Sequence, residues 1–313
     1  MSELYQVSSN PHIRDHASTT SIMLDVIIAL IPATVFGIWN FGFHAAANVF
    51  VGIAAAVLAE AGFQKAAGLK ITIGDLSAVV TGLLLALNVP DTLPLWMTAL
   101  GSVFAIVVAK QVFGGIGQNF MNPALAGRVF LFLSFSAQMT SFTYDGVTGA
   151  TPLKELKDTG KVKNLFDMFL GTEAGTIGET SAAALLLGGI YLLAKKIIDY
   201  RIPLFYLLSF LVCMTLFGGQ GLDAEYLMAE LCGGGLLLGA FFMATDYATS
   251  PITQKGRIVF GILLGILTAV FRVFGPNAEG VSYAIIFCNL LVPIIEKYTV
   301  PKMFGASGRK KEA

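Results

Sequence analysis

Long apolar runs, each bounded by polar residues or by glycine and proline, follow one another along almost the whole chain. These runs do not alternate between apolar and polar residues as the strands of an outer-membrane barrel would, so we interpret them as helices. The pattern predicts ten membrane-spanning helices, at Ile22–Trp39, Ala45–Phe63, Leu76–Val89, Leu95–Phe113, Ala124–Ala137, Ala182–Ala194, Ile202–Phe217, Tyr226–Ala244, Ile258–Val273 and Val281–Ile295.

The composition agrees with an integral membrane protein. Hydrophobic residues make up 55% of the 313 residues and charged residues only 13%, whereas a soluble domain carries about 25% charged residues. The formal net charge is zero, which gives no electrostatic reason to expect a nucleic-acid partner. The three cysteines lie singly in apolar runs, and the histidines show no metal-ligand spacing, so the sequence predicts no metal site.

The distribution of lysine and arginine predicts the orientation. With an even number of spans, both termini lie on one side, and cytoplasmic connections are enriched in basic residues. Fourteen Lys and Arg residues fall on the side of the termini and five on the other side, four of these five in one long loop, Gln138–Thr180. We therefore expect both termini in the cytoplasm and the long loop outside.

Two short motifs recur in order and suggest a duplicated chain. Gly-Leu-Leu-Leu occurs at 82–85 and at 235–238, followed by Asp91 and Asp246, and Val-Phe-Gly occurs at 112–114 and at 273–275. Repeats of five spans must be inverted in the membrane, and an interrupted segment at matching places points to the central site. The third and eighth predicted spans fit this description, and residues 245–251 are predicted to form a re-entrant break lining a polar cavity.

The run Asp145–Leu153 is a polar, glycine-bearing segment in this apolar chain. Thr151 followed by Pro152 indicates a helix N-cap with proline at the first helical position. Gly149 permits close approach to the backbone and Ala150 keeps the neighbouring side chain small. Because helix N-termini bind phosphate, the same threonine suits two roles, a structural cap and a phosphate-linked cofactor site, and the pattern itself favours the cap.

Five stretches in order resemble the RnfD/NqrB family of membrane flavoproteins over nearly the whole chain. They are Asn10–Arg14, Gly114–Asn119 with Asn122–Ala124, Gly149–Thr151, Phe242–Asp246 with Thr249–Pro251, and Arg272–Gly275 with Glu279–Val281. The compact length and short N-terminal segment are closer to RnfD than to NqrB.

This resemblance implies a function, a cofactor and partners. It implies FMN attached by a flavin transferase through a phosphoester to Thr151, with Gly149 and Ala150 completing the motif. It further implies a six-subunit complex in the bacterial cytoplasmic (inner) membrane that couples ferredoxin oxidation and NAD+ reduction to Na+ or H+ export. A noncovalent riboflavin is also expected, and residues 114–123 and 245–251 are candidate linings for its site.

Five ionisable residues lie within or at the ends of the predicted spans, where charges are costly and functional by default. We assign Asp25 and Asp246 as candidates for the ion path, and we expect Glu60 and Arg128 to form structural ion pairs or to lie at headgroup level; the fifth is Glu230.

Together these features predict an all-α integral membrane protein of about ten transmembrane helices in two inverted five-helix repeats. Residues 1–137 form the cytoplasmic lead and first repeat, residues 138–180 the extracytoplasmic flavin-bearing loop, and residues 181–313 the second repeat and cytoplasmic tail. The leading function is electron transfer within a redox-driven ion pump. Three alternatives remain: a transporter or channel without a redox role, an NqrB-like subunit of a Na+-translocating NADH:quinone oxidoreductase, and a structural membrane anchor.

Overall fold

The computed structural model describes residues 17–144, 147–149, 151–160, 162, 164–275 and 279–301. The N-terminal half contains α1 (Thr19–Phe41), α2 (Phe43–Ala66), α3 (Ser77–Leu87), α4 (Leu95–Val107), α5 (Pro123–Ser134) and α6 (Ser136–Met139), with short 3-10 helices at Ile73–Asp75 and Gln111–Phe113. Between the halves lie β1 (Phe142–Tyr144), β2 (Val147–Gly149), α7 (Pro152–Thr159) and α8 (Leu165–Leu170). The C-terminal half contains α9 (Ala182–Ala194), α10 (Arg201–Phe217), α11 (Ala224–Cys232), α12 (Leu236–Leu238), a π-helical segment (Gly239–Met243), α13 (Gln254–Phe274) and α14 (Val281–Thr299).

Side-chain caps fix where several of these helices begin. Ser18 and Ser21 form a capping box at α1, Asn122 caps α5 with Pro123 at its first position, and Thr253 caps α13. Each cap supplies an acceptor to backbone N–H groups that the helix cannot satisfy itself.

The helices confirm a multi-pass, predominantly helical membrane protein, although the β1–β2 hairpin departs from an all-α fold. In the described residues, five helices are long and apolar enough to cross a membrane, and α11 with the segment Leu236–Met243 makes a sixth if that bent pair is one span. Shorter apolar helices occupy the other four predicted spans: α3, α5, α9 and α10. Each predicted apolar run thus contains helix, but four of them are shorter than a full span.

The predicted eighth span is broken earlier than expected. The sequence suggested one helix over Tyr226–Ala244 and irregular backbone only at residues 245–251, whereas α11 ends at Cys232 and the chain turns by 61° before Leu236. Gly234 and Gly235 adopt φ values of 65° and 67° there, a left-handed conformation that glycine adopts without strain. Residues 245–251 are also non-helical, as predicted.

The two halves use matching helix contacts. In the N-terminal half α2 packs on α3 and α4, α4 packs on α5, and α3 contacts α1 and α5. In the C-terminal half α10 packs on the π-helical segment and α13, α13 packs on α14, and α12 with the π-helical segment contacts α9 and α14. Contacts of α1 with α9 and of α5 with α14 join the halves.

The connection between the halves is tied to the bundle by backbone hydrogen bonds. The N–H groups of Ile177 and Gly178 donate to the carbonyl oxygens of Val89 (3.1 Å) and Leu87 (2.8 Å). These bonds satisfy carbonyls left free where the short helix α3 ends. The segment before α9 is therefore part of the packed structure.

A substitution of Gly265 tests the close helix contact between α10 and α13. A Cβ atom at this position would lie 2.5 Å from the carbonyl oxygen of Tyr206 and 2.6 Å from the backbone nitrogen of Phe210. We expect Gly265→Ala to destabilise the protein by about 1–3 kcal/mol because the helices must separate. Gly62→Ala is the matched control. The added Cβ would meet no other described part of the chain within 4 Å, so helix propensity gives a neutral or slightly stabilising change. Thermal unfolding of both variants in detergent measures the difference, and equal midpoints would contradict the prediction.

Candidate functional site

Thr151 is the N-cap of α7, as its position before Pro152 predicted. Its Oγ1 accepts a hydrogen bond from the backbone N–H of Lys154 at 3.4 Å. The threonine is 8% exposed, and Leu153 and Leu156, on the helix that follows, are each 2% exposed. Gly160 ends the helix in a left-handed conformation. The hydroxyl is therefore held at a helix N-terminus by a buried apolar anchor.

A β-hairpin leads into this helix. Strands β1 and β2 pair antiparallel, with Phe142 opposite Gly149. Gly149 is exposed, and no atom of the described residues lies within 4 Å of the position a Cβ would take. The described backbone beside Thr151 is therefore open to a bulky group. Ala150, the middle residue of the proposed attachment motif, lies outside the described residues.

A cluster of carboxylates lies beside the N-terminus of α7, and an arginine pairs with two of them. Thr151 lines a small cavity together with Glu179 and Glu279. Arg128 lies 3.1 Å from Glu179 Oε1 and 2.7 Å from Glu279 Oε2, and it donates to Ser282 Oγ at 2.8 Å. The expectation that Arg128 forms a structural ion pair is confirmed.

The second arginine, Arg272, stabilises the break between α11 and α12. Its Nη1 donates to the backbone oxygen (2.6 Å) and to Oε2 (2.7 Å) of Glu230, and its Nη2 donates to the carbonyl oxygen of Gly233 (2.8 Å). Both side chains are buried. Sequence reasoning missed Glu179, and it did not assign a site to Glu279 or Arg272. The last two could have been found, because each lies in a stretch that carries the family resemblance.

Asp246 lies in a different polar region, at the end of the π-helical segment. Its Oδ2 accepts from Thr249 Oγ1 (3.1 Å) and Asn119 Nδ2 (3.4 Å). Asn119, Asn122, Thr245 and Asp246 line one cavity. The two stretches proposed from the sequence as linings for a second flavin, residues 114–123 and 245–251, are thus brought together by the fold.

A buried ion pair adjoins the same cavity. Lys110 Nζ donates to both oxygens of Glu60 (3.0 and 2.9 Å) and to Ser77 Oγ (2.6 Å), and Gln111 Nε2 donates to Glu60 Oε1 (2.7 Å). Lys110 and Ser77 line the cavity. The predicted structural pairing of Glu60 is confirmed, but its partner, 50 residues away, was not anticipated.

Asp25 is separate from the Asp246 cavity. It accepts from Tyr191 Oη at 2.8 Å and from Lys195 Nζ at 3.2 Å, linking α1 to the end of α9. Its neighbours on α1, Met23 and Val26, line the cavity, but Asp25 is not among the described residues that do. The structure therefore does not bring the two candidate ion-path carboxylates together.

A substitution of Glu230 tests how much its buried ion pair with Arg272 contributes to stability. Glu230→Gln keeps the shape of the side chain but leaves the charge of Arg272 uncompensated, and we expect a loss of about 3–5 kcal/mol in unfolding free energy. Lys195→Gln breaks the more exposed pair with Asp25 (the Lys195 side chain is 52% exposed) and should lower the stability far less, because solvent screens exposed ion pairs. Denaturant or thermal unfolding in detergent compares the two; a Glu230→Gln protein as stable as Lys195→Gln would contradict the prediction.

Comparison with known proteins assigns the chain to a family. It is 48% identical over 315 residues to the D subunit of the Na+-translocating ferredoxin:NAD+ oxidoreductase complex of Acetobacterium woodii, covering 98% of this chain and 97% of that protein. It is 43% identical over 319 residues to the D subunit of the proton-translocating ferredoxin:NAD+ oxidoreductase complex of Clostridium ljungdahlii, covering 96% of each. It is 34% identical over 349 residues to the D subunit of the ion-translocating oxidoreductase complex of Escherichia fergusonii, covering 96% of this chain and 99% of that protein. Residues 6–305 match the NQR2, RnfD, RnfE family, and with similarity over nearly its full length the chain belongs to this family.

Proposed function

We propose that this protein is the membrane-embedded D subunit of an ion-translocating ferredoxin:NAD+ oxidoreductase complex and carries electrons through FMN linked to Thr151. The observation that carries the proposal is the near full-length similarity to three proteins named as D subunits of ion-translocating oxidoreductase complexes. The same comparison does not decide which ion is translocated, because one relative is named as Na+-translocating and another as proton-translocating.

The surroundings of Thr151 fit a phosphate-linked flavin. The Oγ1 atom lies at the N-terminus of α7 beside the Lys154 N–H, where a phosphate is favoured, and Gly149 leaves the adjacent backbone open. The cavity that Thr151 lines holds only about 40 Å³, less than the roughly 150 Å³ that accommodates one benzene ring. The three-ring isoalloxazine would therefore lie outside this cavity, where partner subunits can reach it. A bound flavin would supply one- and two-electron transfer.

The burial of Thr151 also constrains how a flavin transferase would act. Thr151 is 8% exposed, and Leu153 and Leu156, which follow it, are each 2% exposed. Its hydroxyl is therefore poorly accessible to another enzyme while α7 is packed. Attachment would therefore take place before α7 docks or while it is detached. This order places FMN attachment before the final packing of the connection between the halves.

A noncovalent riboflavin, if present, would use the cavity between residues 114–123 and 245–251. Asn119, Asn122 and Asp246 offer polar contacts there, and the walls are apolar, as ligand sites usually are. The cavity holds about 100 Å³, less than three fused rings require. Wall side chains such as Met23 and Phe242 would have to rotate to admit the ring.

For topology, we propose ten spans in two inverted five-helix repeats, with both termini in the cytoplasm and the flavin-bearing loop outside the inner membrane. The matching helix contacts of the two halves support the repeat, as do the short helix α3 and the broken span of α11 and α12 at corresponding places. The other five subunits of a six-subunit complex, surrounding lipid and a flavin transferase are the implied partners.

Thr151 tests the flavin proposal. We expect the parent chain, produced with a flavin transferase, to show flavin fluorescence in a denaturing gel, and Thr151→Ala and Thr151→Asn to lose it. Thr151→Asn keeps a good N-cap, whereas Thr151→Ala also loses about 1 kcal/mol of capping, so loss in both separates attachment from stability. Thr151→Ser retains the hydroxyl and should stay fluorescent. Fluorescence that survives Thr151→Asn would refute attachment at this residue.

Asp246 tests the ion path. Asp246→Asn preserves the size of the side chain and removes its charge. Because intramembrane carboxylates mark ion paths, the assembled complex in inverted vesicles should lose at least about tenfold in ferredoxin-driven ion uptake, the equivalent of about 1.4 kcal/mol. Its gel fluorescence should not change. Asp158→Asn, at an exposed position on α7, is the control. Ion uptake by Asp246→Asn equal to that of Asp158→Asn would exclude Asp246 from the path.

A further inference from the structure

A large cavity opens beside the connection between α9 and α10. It holds about 720 Å³ and is lined by Lys196, Asp199, Ser250 and Arg257, with apolar walls that include Ile198 and Ile252. It is distinct from the Asp246 cavity, although the two share Ile197, Ile198, Thr245 and Tyr247. Tyr247 Oη donates to the carbonyl oxygen of Ile197, which is part of the wall between them.

Lys196 occupies a backbone position at which glycine is usual. Lys196 N donates to Leu193 O and Ile197 N donates to Leu192 O, both at 3.0 Å, which is the hydrogen-bond pattern of a Schellman C-cap. The residue after the cap in this motif is left-handed, and Lys196 has φ 57°. A lysine is strained there where a glycine would not be. The turn alone would be better served by glycine, so the presence of lysine at this position indicates a role for its side chain.

The side chains at this cavity leave hydrogen-bond donors unused. The Lys196 side chain is exposed, and its ammonium makes no hydrogen bond or ion pair with the part of the chain that the structure describes. Arg257 donates through Nε to Pro251 O (3.1 Å) and through Nη1 to Asp199 Oδ2 (2.6 Å), which leaves Nη2 without a described partner. The Ser250 hydroxyl is likewise unpaired among the described residues.

Asp199, the one carboxylate among the described residues that line the cavity, does not cancel this positive charge. Asp199 accepts from the N–H (2.9 Å) and Nη1 (2.8 Å) of Arg201 as well as from Arg257. Burial raises the pKa of Asp199, but the hydrogen bonds and the charges of the two arginines lower it by more than burial raises it. The pKa is therefore below its usual value, and Asp199 stays ionised. Among the described residues, the lining holds two cations, Lys196 and Arg257, against one carboxylate. This leaves a net positive site, with donors of the type that bind phosphate.

We propose that this cavity binds a phosphate group, with the Lys196 ammonium, Arg257 Nη2 and the Ser250 hydroxyl as donors. The apolar walls favour a phospholipid as the carrier of that phosphate, with its glycerol and acyl chains against Ile198 and Ile252. A soluble phosphate is the other source of the same chemistry. This proposal does not depend on the flavin at Thr151.

The test uses the full chain in neutral detergent, with the thermal unfolding midpoint followed against added ligand. Dioleoylphosphatidylglycerol should raise the midpoint in a saturable way, and dioleoylglycerol, which has the same chains without phosphate, should not. Lys196→Gly should weaken apparent lipid affinity roughly fivefold, the equivalent of about 1 kcal/mol for one lysine at a lipid headgroup. Lys196→Arg should stay close to the parent.

Two comparisons separate binding from folding. Lys196→Gly removes the strained backbone, so its midpoint without ligand should be equal to or above that of the parent. Lys195→Gln changes the adjacent lysine, which pairs with Asp25 and does not line the cavity, and should leave lipid affinity unchanged. Equal protection by inorganic phosphate, lost in Lys196→Gly, would assign the site to a soluble phosphate. Lipid affinity that is unaffected by Lys196→Gly, or no protection by lipid and inorganic phosphate alike, would overturn the proposal.

Discussion

The guanidinium of Arg272 makes the break in the eighth span physically tolerable. Where α11 stops at Cys232, the backbone loses its helical hydrogen bonds, and an unsatisfied carbonyl inside an apolar bundle costs several kcal/mol. Arg272 donates to the carbonyl oxygens of Glu230, Gly233 and, at 3.4 Å, Gly234. The Glu230 carboxylate then neutralises the buried cation. One side chain from α13 thus satisfies the backbone at the turn that reorients α12.

This break also separates the two candidate sites. Gly235 lies near Glu179, since a Cβ added to it would come within 2.5 Å of the Glu179 Cδ, and Glu179 lines the cavity of Thr151. The helical segment from Leu236 to Met243 then leads to Asp246, and eight helical residues span roughly 12 Å. In the N-terminal half, α3 ends in the same way, with its free carbonyls bonded by Ile177 and Gly178. Both short helices therefore end on hydrogen bonds from a distant part of the chain.

Local features were predictable from the sequence and distant pairings were not. The apolar runs, the Thr151 cap and the non-helical residues 245–251 follow from nearby residue types, and the structure confirms them. The break at residues 233–235 was not predicted, because glycines also occur inside unbroken membrane helices. The hydrogen bond from Arg272, 39 residues away from Gly233 in the sequence, shows that these glycines interrupt the helix. Likewise, the positions of Glu60 and Arg128 within apolar runs predicted buried charges. Their partners, Lys110, Glu179 and Glu279, are distant in the sequence and are brought to them only by the fold.

The buried pairs also bear on the orientation proposed from charge counting. Lys110 and Arg272 are neutralised inside the bundle by Glu60 and Glu230, so neither reports on which side of the membrane a connection lies. Setting both aside leaves thirteen basic residues against four, and the asymmetry persists. The four are the lysines of the loop at residues 138–180, and the thirteen basic residues on the other side outweigh them. The four lysines follow Thr151 directly in the chain, where nearby cations would favour a phosphate on its side chain. The one connection with several lysines on the side proposed to be outside is therefore the segment in which the phosphate of the proposed FMN would be stabilised by positive charge.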